Sequence, residues 1–153
     1  MVVRGKPVVF PANILLATDG SDEATLAART AADLVQRTGS ELHLIHVAHV
    51  EHVLATATEI EFRTEQTRRE AQSLLDEQSE RLKGTGGTLA QTHLRAGRPD
   101  EEIIGLAEEL ESGLILMGSR GLGGVRRSLM GSVSDSVVRH AHCPVLIVRE
   151  GRE

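Results

Sequence analysis

Residues 113–132 read GLILMGSRGLGGVRRSLMGS. The apolar run Leu114 to Met117 meets Gly118, and a glycine-rich stretch then leads to Gly131-Ser132. A short apolar run between glycines reads as a buried strand. The Val133, Val137, Val138 spacing after Ser132 reads as a helix. Strand, glycine loop and helix start together form the arrangement by which α/β proteins hold phosphate. Glycine lets backbone N–H groups approach an anion, and a helix N-terminus adds partial positive charge.

The same alternation extends outward on both sides. Asn13 to Thr18 (NILLAT) is a first strand ending in the turn cluster Asp19-Gly20-Ser21. Asp22 to Arg37 follows as a helix, with Leu26, Thr30, Leu34 and the Ala27, Ala31 row at helical spacing, and Gly39 stops it. Glu41 to Val47 (ELHLIHV) is the second strand. His49 to Thr58 is irregular, and Glu59 to Lys83 is a long charged helix with Ala71, Leu74, Leu75 and Leu82 inward. Thr88 to Arg95 is the third strand. Pro99 then opens a helix whose first turn carries Asp100, Glu101 and Glu102, which suits the dipole. Ile103, Ile104, Ala107 and Leu110 form its inward stripe, and Gly113 is its expected stop. Leu114 to Met117 is the fourth strand. Gly131 to His140 is the fourth helix, with Val133, Val137, Val138 and Ala141 inward, and Pro144 to Arg149 (PVLIVR) is the fifth strand.

Strands alternating with helices predict an α/β fold, a five-stranded parallel sheet covered on both faces. Ligands bind such sheets beyond the carboxyl ends of the strands, where the strand order reverses. The order 2-1-3-4-5 places that point between strands 1 and 3, and 3-2-1-4-5 places it between strands 1 and 4. Asp19 ends strand 1 and the glycine loop ends strand 4, so only the second order joins them in one site. The expected fold is therefore 3-2-1-4-5, Rossmann-like, in one domain with its core over residues 13–149.

Composition limits the function. The 153 residues carry a formal net charge of −5 and two aromatics, Phe10 and Phe62, which argues against nucleic acid as a partner. Cys143 is the single cysteine, so neither a disulfide framework nor a cysteine metal cluster is available. No apolar run has the length of a membrane span, and the first residues lack the apolar core of a signal peptide. The expectation is a cytoplasmic protein without membrane contact. Lys6 and Lys83 are the only lysines and no Gly-Lys-Ser/Thr triplet occurs, so the loop is not a Walker A motif.

Other polar residues carry two readings each. Asp19 suits a cap of the first helix and also a ligand contact, and the two are compatible. Arg120, Arg126 and Arg127 suit a solvated loop or the screening of phosphate charge. His43, His46, His49 and His52 recur every third residue, but on a strand His43 and His46 face opposite sides, so no shared metal is expected. His140 ends the fourth helix, His142 and Cys143 follow it, and all three read as structural. The apolar fifth strand is an edge under the favoured order, and pairing between two copies would cover it.

The pattern Gly118-x2-Gly121-x9-Gly131-Ser132 resembles the nucleotide-binding motif of the universal stress protein family, ATP-binding branch. The opening Ile14 to Ser21 (ILLATDGS), His46-Val47, and the closing Cys143 to Val148 (CPVLIV) are similar to that family too, so the resemblance spans residues 13–149. It implies an adenine-nucleotide-binding homodimer joined through strand 144–149, with the 3-2-1-4-5 sheet. Ala17, Thr18 and Asp19 would border base and ribose, and the backbone of Val47 would bond the adenine edge. Met117 and Gly118 would lie under the ribose. Gly121, Gly131, Ser132, Val133 and Ser134 would meet the phosphates. The implied cofactor is ATP, with Mg2+ held mainly by the phosphates, and the implied role is stress-response regulation through a protein partner that reads the loop Leu122 to Met130, with the segment His49 to Thr58 as a second candidate. Phosphoryl transfer needs charge stabilisation and an oriented nucleophile. Neither is evident beside the loop, so very slow hydrolysis at most is expected. Two rivals stand. One is an adenine-nucleotide hydrolase or nucleotidyl-transfer enzyme using Asp19 or Asp135 as base. The other is an interaction module that binds AMP, a cyclic nucleotide or nothing.

Overall fold

The computed structural model describes residues 13–49, 56–86, 88–120 and 130–151, without the side chains of residues 58–63. Gly121, Arg126, Arg127, His52 and Phe10 lie outside the described residues, as do most of the loop Leu122 to Met130 and of the segment His49 to Thr58. The elements are β1 (Asn13–Ala17), α1 (Asp22–Thr38), β2 (Glu41–Ala48), α2 (Ala57–Gly84), β3 (Leu89–Ala96), α3 (Pro99–Glu109), β4 (Leu114–Gly118), α4 (Ser132–His140) and β5 (Val145–Val148). All strand pairs are parallel and the order is β3-β2-β1-β4-β5, as expected.

β1 lies in the middle, with Ile14 opposite Leu42 of β2 on one side and Leu114 of β4 on the other. A strand covered on both faces needs apolar residues at every position. Ile14, Leu15 and Leu16 are accordingly all fully buried. Alternate residues feed two cores. Ile14, Leu16, Leu42, Leu44 and Leu116 pack beneath Ala27, Ala31 and Val35 of α1 and Leu75 and Leu82 of α2. Leu15, Ile45, Ile115 and Met117 pack beneath Ile103, Leu106 and Ala107 of α3 and Val137 of α4. Truncating any fully buried leucine or isoleucine here should cost about 2–5 kcal/mol.

The structure differs from the sequence reading at several joints. Ser21, and not Asp19, caps α1: its hydroxyl accepts the Ala24 N–H at 3.2 Å. Asp19 instead accepts the Ser21 N–H at 2.9 Å and fixes the turn before the cap. α3 ends at Glu109, four residues before the expected glycine stop, and Glu111 makes the turn at φ 51°. Gly113 is already tied to the sheet, donating its N–H to the Asn13 carbonyl. Leu106 belongs to the buried stripe of α3, whereas Ile104 and Leu110 are half-buried at its margin. Gly131 caps α4 from outside rather than opening it.

α1 meets β4 almost backbone to backbone. A Cβ at Gly118 would lie 2.9 Å from the Glu23 Cβ and 3.0 Å from the Glu23 carbonyl carbon. Gly118→Ala should therefore destabilise the fold by about 1–3 kcal/mol in urea unfolding. Gly105, inside α3, would place a Cβ with nothing within 4 Å. Gly105→Ala should stabilise by about 0.5–1 kcal/mol through helix propensity. The opposite signs of the two substitutions check the close approach directly.

Candidate functional site

The carboxyl ends of β1, β2 and β4 open into a cavity of about 730 Å³, within the range of roughly 300–1,000 Å³ common for small-molecule sites. Its floor is Ala17, Thr18 and Asp19 at the end of β1, with Met117 and Gly118 of β4. Ile45 to His49 form the β2 wall. Arg120 and the segment Met130 to Ser134 close the α4 side. Eleven of the twelve residues singled out from sequence line this one space: Ala17, Thr18, Asp19, Val47, Met117, Gly118, Arg120, Gly131, Ser132, Val133 and Ser134. The twelfth, Gly121, falls outside the described residues.

The start of α4 faces the cavity. Asp135 N–H makes the first intrahelical bond, to the Gly131 carbonyl at 3.0 Å. The amides of Ser132, Val133 and Ser134 therefore have no acceptor within the helix, and they carry its positive dipole end. The Gly131 N–H is engaged elsewhere, donating to the Ser119 carbonyl. The Ser134 hydroxyl donates to the same carbonyl at 2.6 Å. A Cβ at Gly131 would lie 3.3 Å from that oxygen. Gly118 and Gly131 thus answer to close packing within the chain, in addition to any approach by a ligand.

The sequence reading missed Glu23. An acid in the first turn of a helix usually sits in solvent and balances the dipole. This one is only 7% exposed. Its carboxylate accepts the Ser119 hydroxyl, the Arg120 N–H at 2.7 Å and the Arg120 guanidinium at 3.3 Å. Burial alone would raise its pKa, but these three donors outweigh that and hold it below the usual glutamate range. The reading placed Ala71 and Leu74 inward on α2 but missed that Thr67, Ala71 and Leu74, with Glu70 between them, face the cavity. Their i, i+4, i+7 spacing was the available signal.

His46 lines the cavity and its Nδ1 lies 2.8 Å from the Thr18 carbonyl oxygen. A carbonyl only accepts, so Nδ1 carries the proton. His43 lies on the opposite face, stacked on His93 with ring centroids 5.3 Å apart. Burial, and then the neighbouring His43 and Arg95, push the His93 imidazole below its usual pKa. Among the described residues no group of three or more His, Cys, Asp or Glu is arranged to hold a metal ion. The described residues include no helix long and apolar enough to cross a membrane.

The model of the Universal stress protein family matches residues 12–149. Universal stress protein MJ0531 of Methanocaldococcus jannaschii is 32% identical over 142 residues, covering 92% of this chain and 83% of the relative. Among solved structures, universal stress protein UspA from Lactobacillus plantarum superposes with a TM-score of 0.78 at 26% identity, over 90% of this chain and 97% of its own. A universal stress protein solved in complex with cAMP shares the fold, with a TM-score of 0.69 at 24% identity, over 90% of this chain and 97% of its own.

The ionised state of Glu23 has a consequence for stability. Its folded pKa lies below the unfolded one, so it stabilises the fold above the unfolded value and loses that contribution as pH falls through the folded value. Glu23→Gln should be less stable than the native chain at pH 7. The gap should shrink as pH falls from about 5 to 3, measured by denaturant titration at each pH. A gap that stays constant with pH would show that the charge contributes nothing.

Proposed function

This chain belongs to the universal stress protein family, and from that premise we propose that it binds an adenine nucleotide in the β1–β2–β4 cavity and acts through that occupancy. One observation carries the reading: the end of β1, the end of β4 and the N-terminus of α4 converge on one space of nucleotide size. The nucleotide proposed is ATP. Its base and ribose would lie over Ala17 to Asp19 and Met117-Gly118, with the adenine edge on the Val47 backbone. Its phosphates would meet the amides of Ser132, Val133 and Ser134 beside Arg120. Gly121, outside the described residues, completes the proposed phosphate contacts from the sequence motif alone. The described cavity residues include no cluster of three or more His, Cys, Asp or Glu, and Mg2+ would be held mainly by the phosphates, with no step routed through it.

The role proposed is regulatory. Asp19 is engaged with the Ser21 N–H, and Asp135 pairs with Arg139 at 3.1 Å and does not line the cavity. Both carboxylates thus already have partners within the chain. Occupancy would be read by a protein partner at the loop Leu122 to Met130. A stress-response output and a second copy docked along β5 complete the proposal. β5 is the sheet edge, with Leu146, Ile147 and Val148 only half-buried. The related protein solved with cAMP supports a second reading, in which the ligand is a cyclic nucleotide.

The first experiment exploits a chain without Trp or Tyr. Purified without added nucleotide and then denatured, it should release ATP, identified by absorbance near 260 nm and by mass. ADP, AMP or cAMP in its place would move the assignment to that ligand or to hydrolysis. In thermal melts, ATP at 100 times its Kd should add about 2.7 kcal/mol, a rise of roughly 5–10 °C. Gly131→Val should abolish that shift, because its side chain would crowd the Ser119 carbonyl, the Arg120 Cα and the Ser134 hydroxyl. A full shift in this variant would remove the argument from the glycine.

A further inference from the structure

Glu23 is the only Asp, Glu, Lys or Arg that is buried among the described residues. A buried charge is costly unless it is paired and hydrogen-bonded. The α1 dipole does not require this burial, since exposed Asp22 already supplies an acid to the same turn. The carboxylate's bonds all converge on Ser119 and Arg120, where the chain leaves β4 for the glycine-rich stretch. The Ser119 carbonyl in turn accepts the Gly131 N–H and the Ser134 hydroxyl, where the chain returns to α4. One carboxylate therefore holds the exit from β4 directly and the entry to α4 through a single intervening residue. Arg120, gripped by it, forms part of the cavity wall.

We infer that Glu23 is a positioning residue for the phosphate end of the ligand. It orients the Arg120 guanidinium and the Ser119–Arg120 backbone toward the phosphates. It makes no contact with the ligand itself, and its effect grows with the number of phosphates the ligand carries. This inference rests on the nucleotide reading given above and extends it to a residue outside the glycine motif. A guanidinium has five donors in a rigid plane, so a carboxylate on one side fixes the direction of the rest. A merely structural Glu23 would weaken every ligand of the cavity alike.

The test is calorimetric titration of ATP, AMP and adenosine into the native chain, Glu23→Gln, Arg120→Ala and the double variant. Each single variant should lose about tenfold in ATP affinity, the scale of one charge-assisted hydrogen bond, less for AMP, and under about twofold for adenosine. The double variant should lose less than the product of the two single losses, because Glu23 acts in part through the Arg120 guanidinium. Equal losses for ATP and adenosine would overturn the inference, as would losses that multiply in the double variant. Should Glu23→Gln fail to fold, Arg120→Ala and Ser119→Ala carry the test, since both alter the partners of Glu23 and leave its carboxylate in place. An unchanged ATP-to-adenosine ratio in Ser119→Ala would overturn it, since Arg120→Ala also removes a proposed phosphate contact. A native chain that binds adenosine and ATP equally would overturn the inference and leave adenine recognition standing. One that binds neither would remove the nucleotide reading itself.

Discussion

The parallel pairing of β1 with both β2 and β4 is the constraint from which the site follows. A parallel connection needs a crossover helix, and the crossover is right-handed. The helix that leaves β1 toward β2 and the one that leaves β4 toward β5 must then cover opposite faces of the sheet. α1 packs on the Ile14 and Leu16 side, and α4 packs on the Leu15 and Ile115 side. Between their diverging N-termini the sheet end is left uncovered. The cavity is a consequence of chain direction, and the side chains around it determine what it can hold.

That geometry puts a demand on α1. Its N-terminus passes over the end of β4, and contact at backbone range is possible only with small residues on both sides. Ala24 and Ala27 supply them on the helix and Gly118 on the strand. Glu23 occupies the one place in this contact where a long side chain extends past the strand end to Ser119 and Arg120. Close packing and loop positioning are therefore one feature. The absence of a side chain at Gly118 admits the helix, and the helix carries the carboxylate that holds the loop.

This division explains what was legible in the sequence. Strand identities were readable because β1 and β4 are apolar at nearly every position and β2 carries Leu42, Leu44, Ile45 and Val47 between its polar residues. Strand order was readable because Asp19 and the glycine stretch had to share one end of the sheet. Just under half of the cavity residues could then be named. Glu23 could not: in one dimension it is an acid in a first helical turn, indistinguishable from its neighbour Asp22, and its burial arises only when α1 lies against β4. The stop of α3 was misplaced for a related reason. Glycine is the default left-handed residue, but Glu111 takes that conformation here and Gly113 serves the sheet. The α2 wall was partly readable, since Leu74 and Ala71 were expected inward. That they bound a cavity as well as a core depends on where α2 crosses β2.

The arrangement of acids around the cavity also bears on chemistry. A general base works best when its pKa lies near the operating pH. Glu23, the carboxylate beneath Ser119 and Arg120, is driven the other way by three donors that stabilise its ionised form. Every lone pair given to Ser119 or Arg120 is one less available to a nucleophilic water. The interactions that make Glu23 effective in holding a loop therefore make it a poor proton acceptor. An acid poised for catalysis would need fewer donors and a higher pKa, and the loop ends would lose their anchor. On this argument the buried carboxylate serves to hold the loop ends and not to accept a proton.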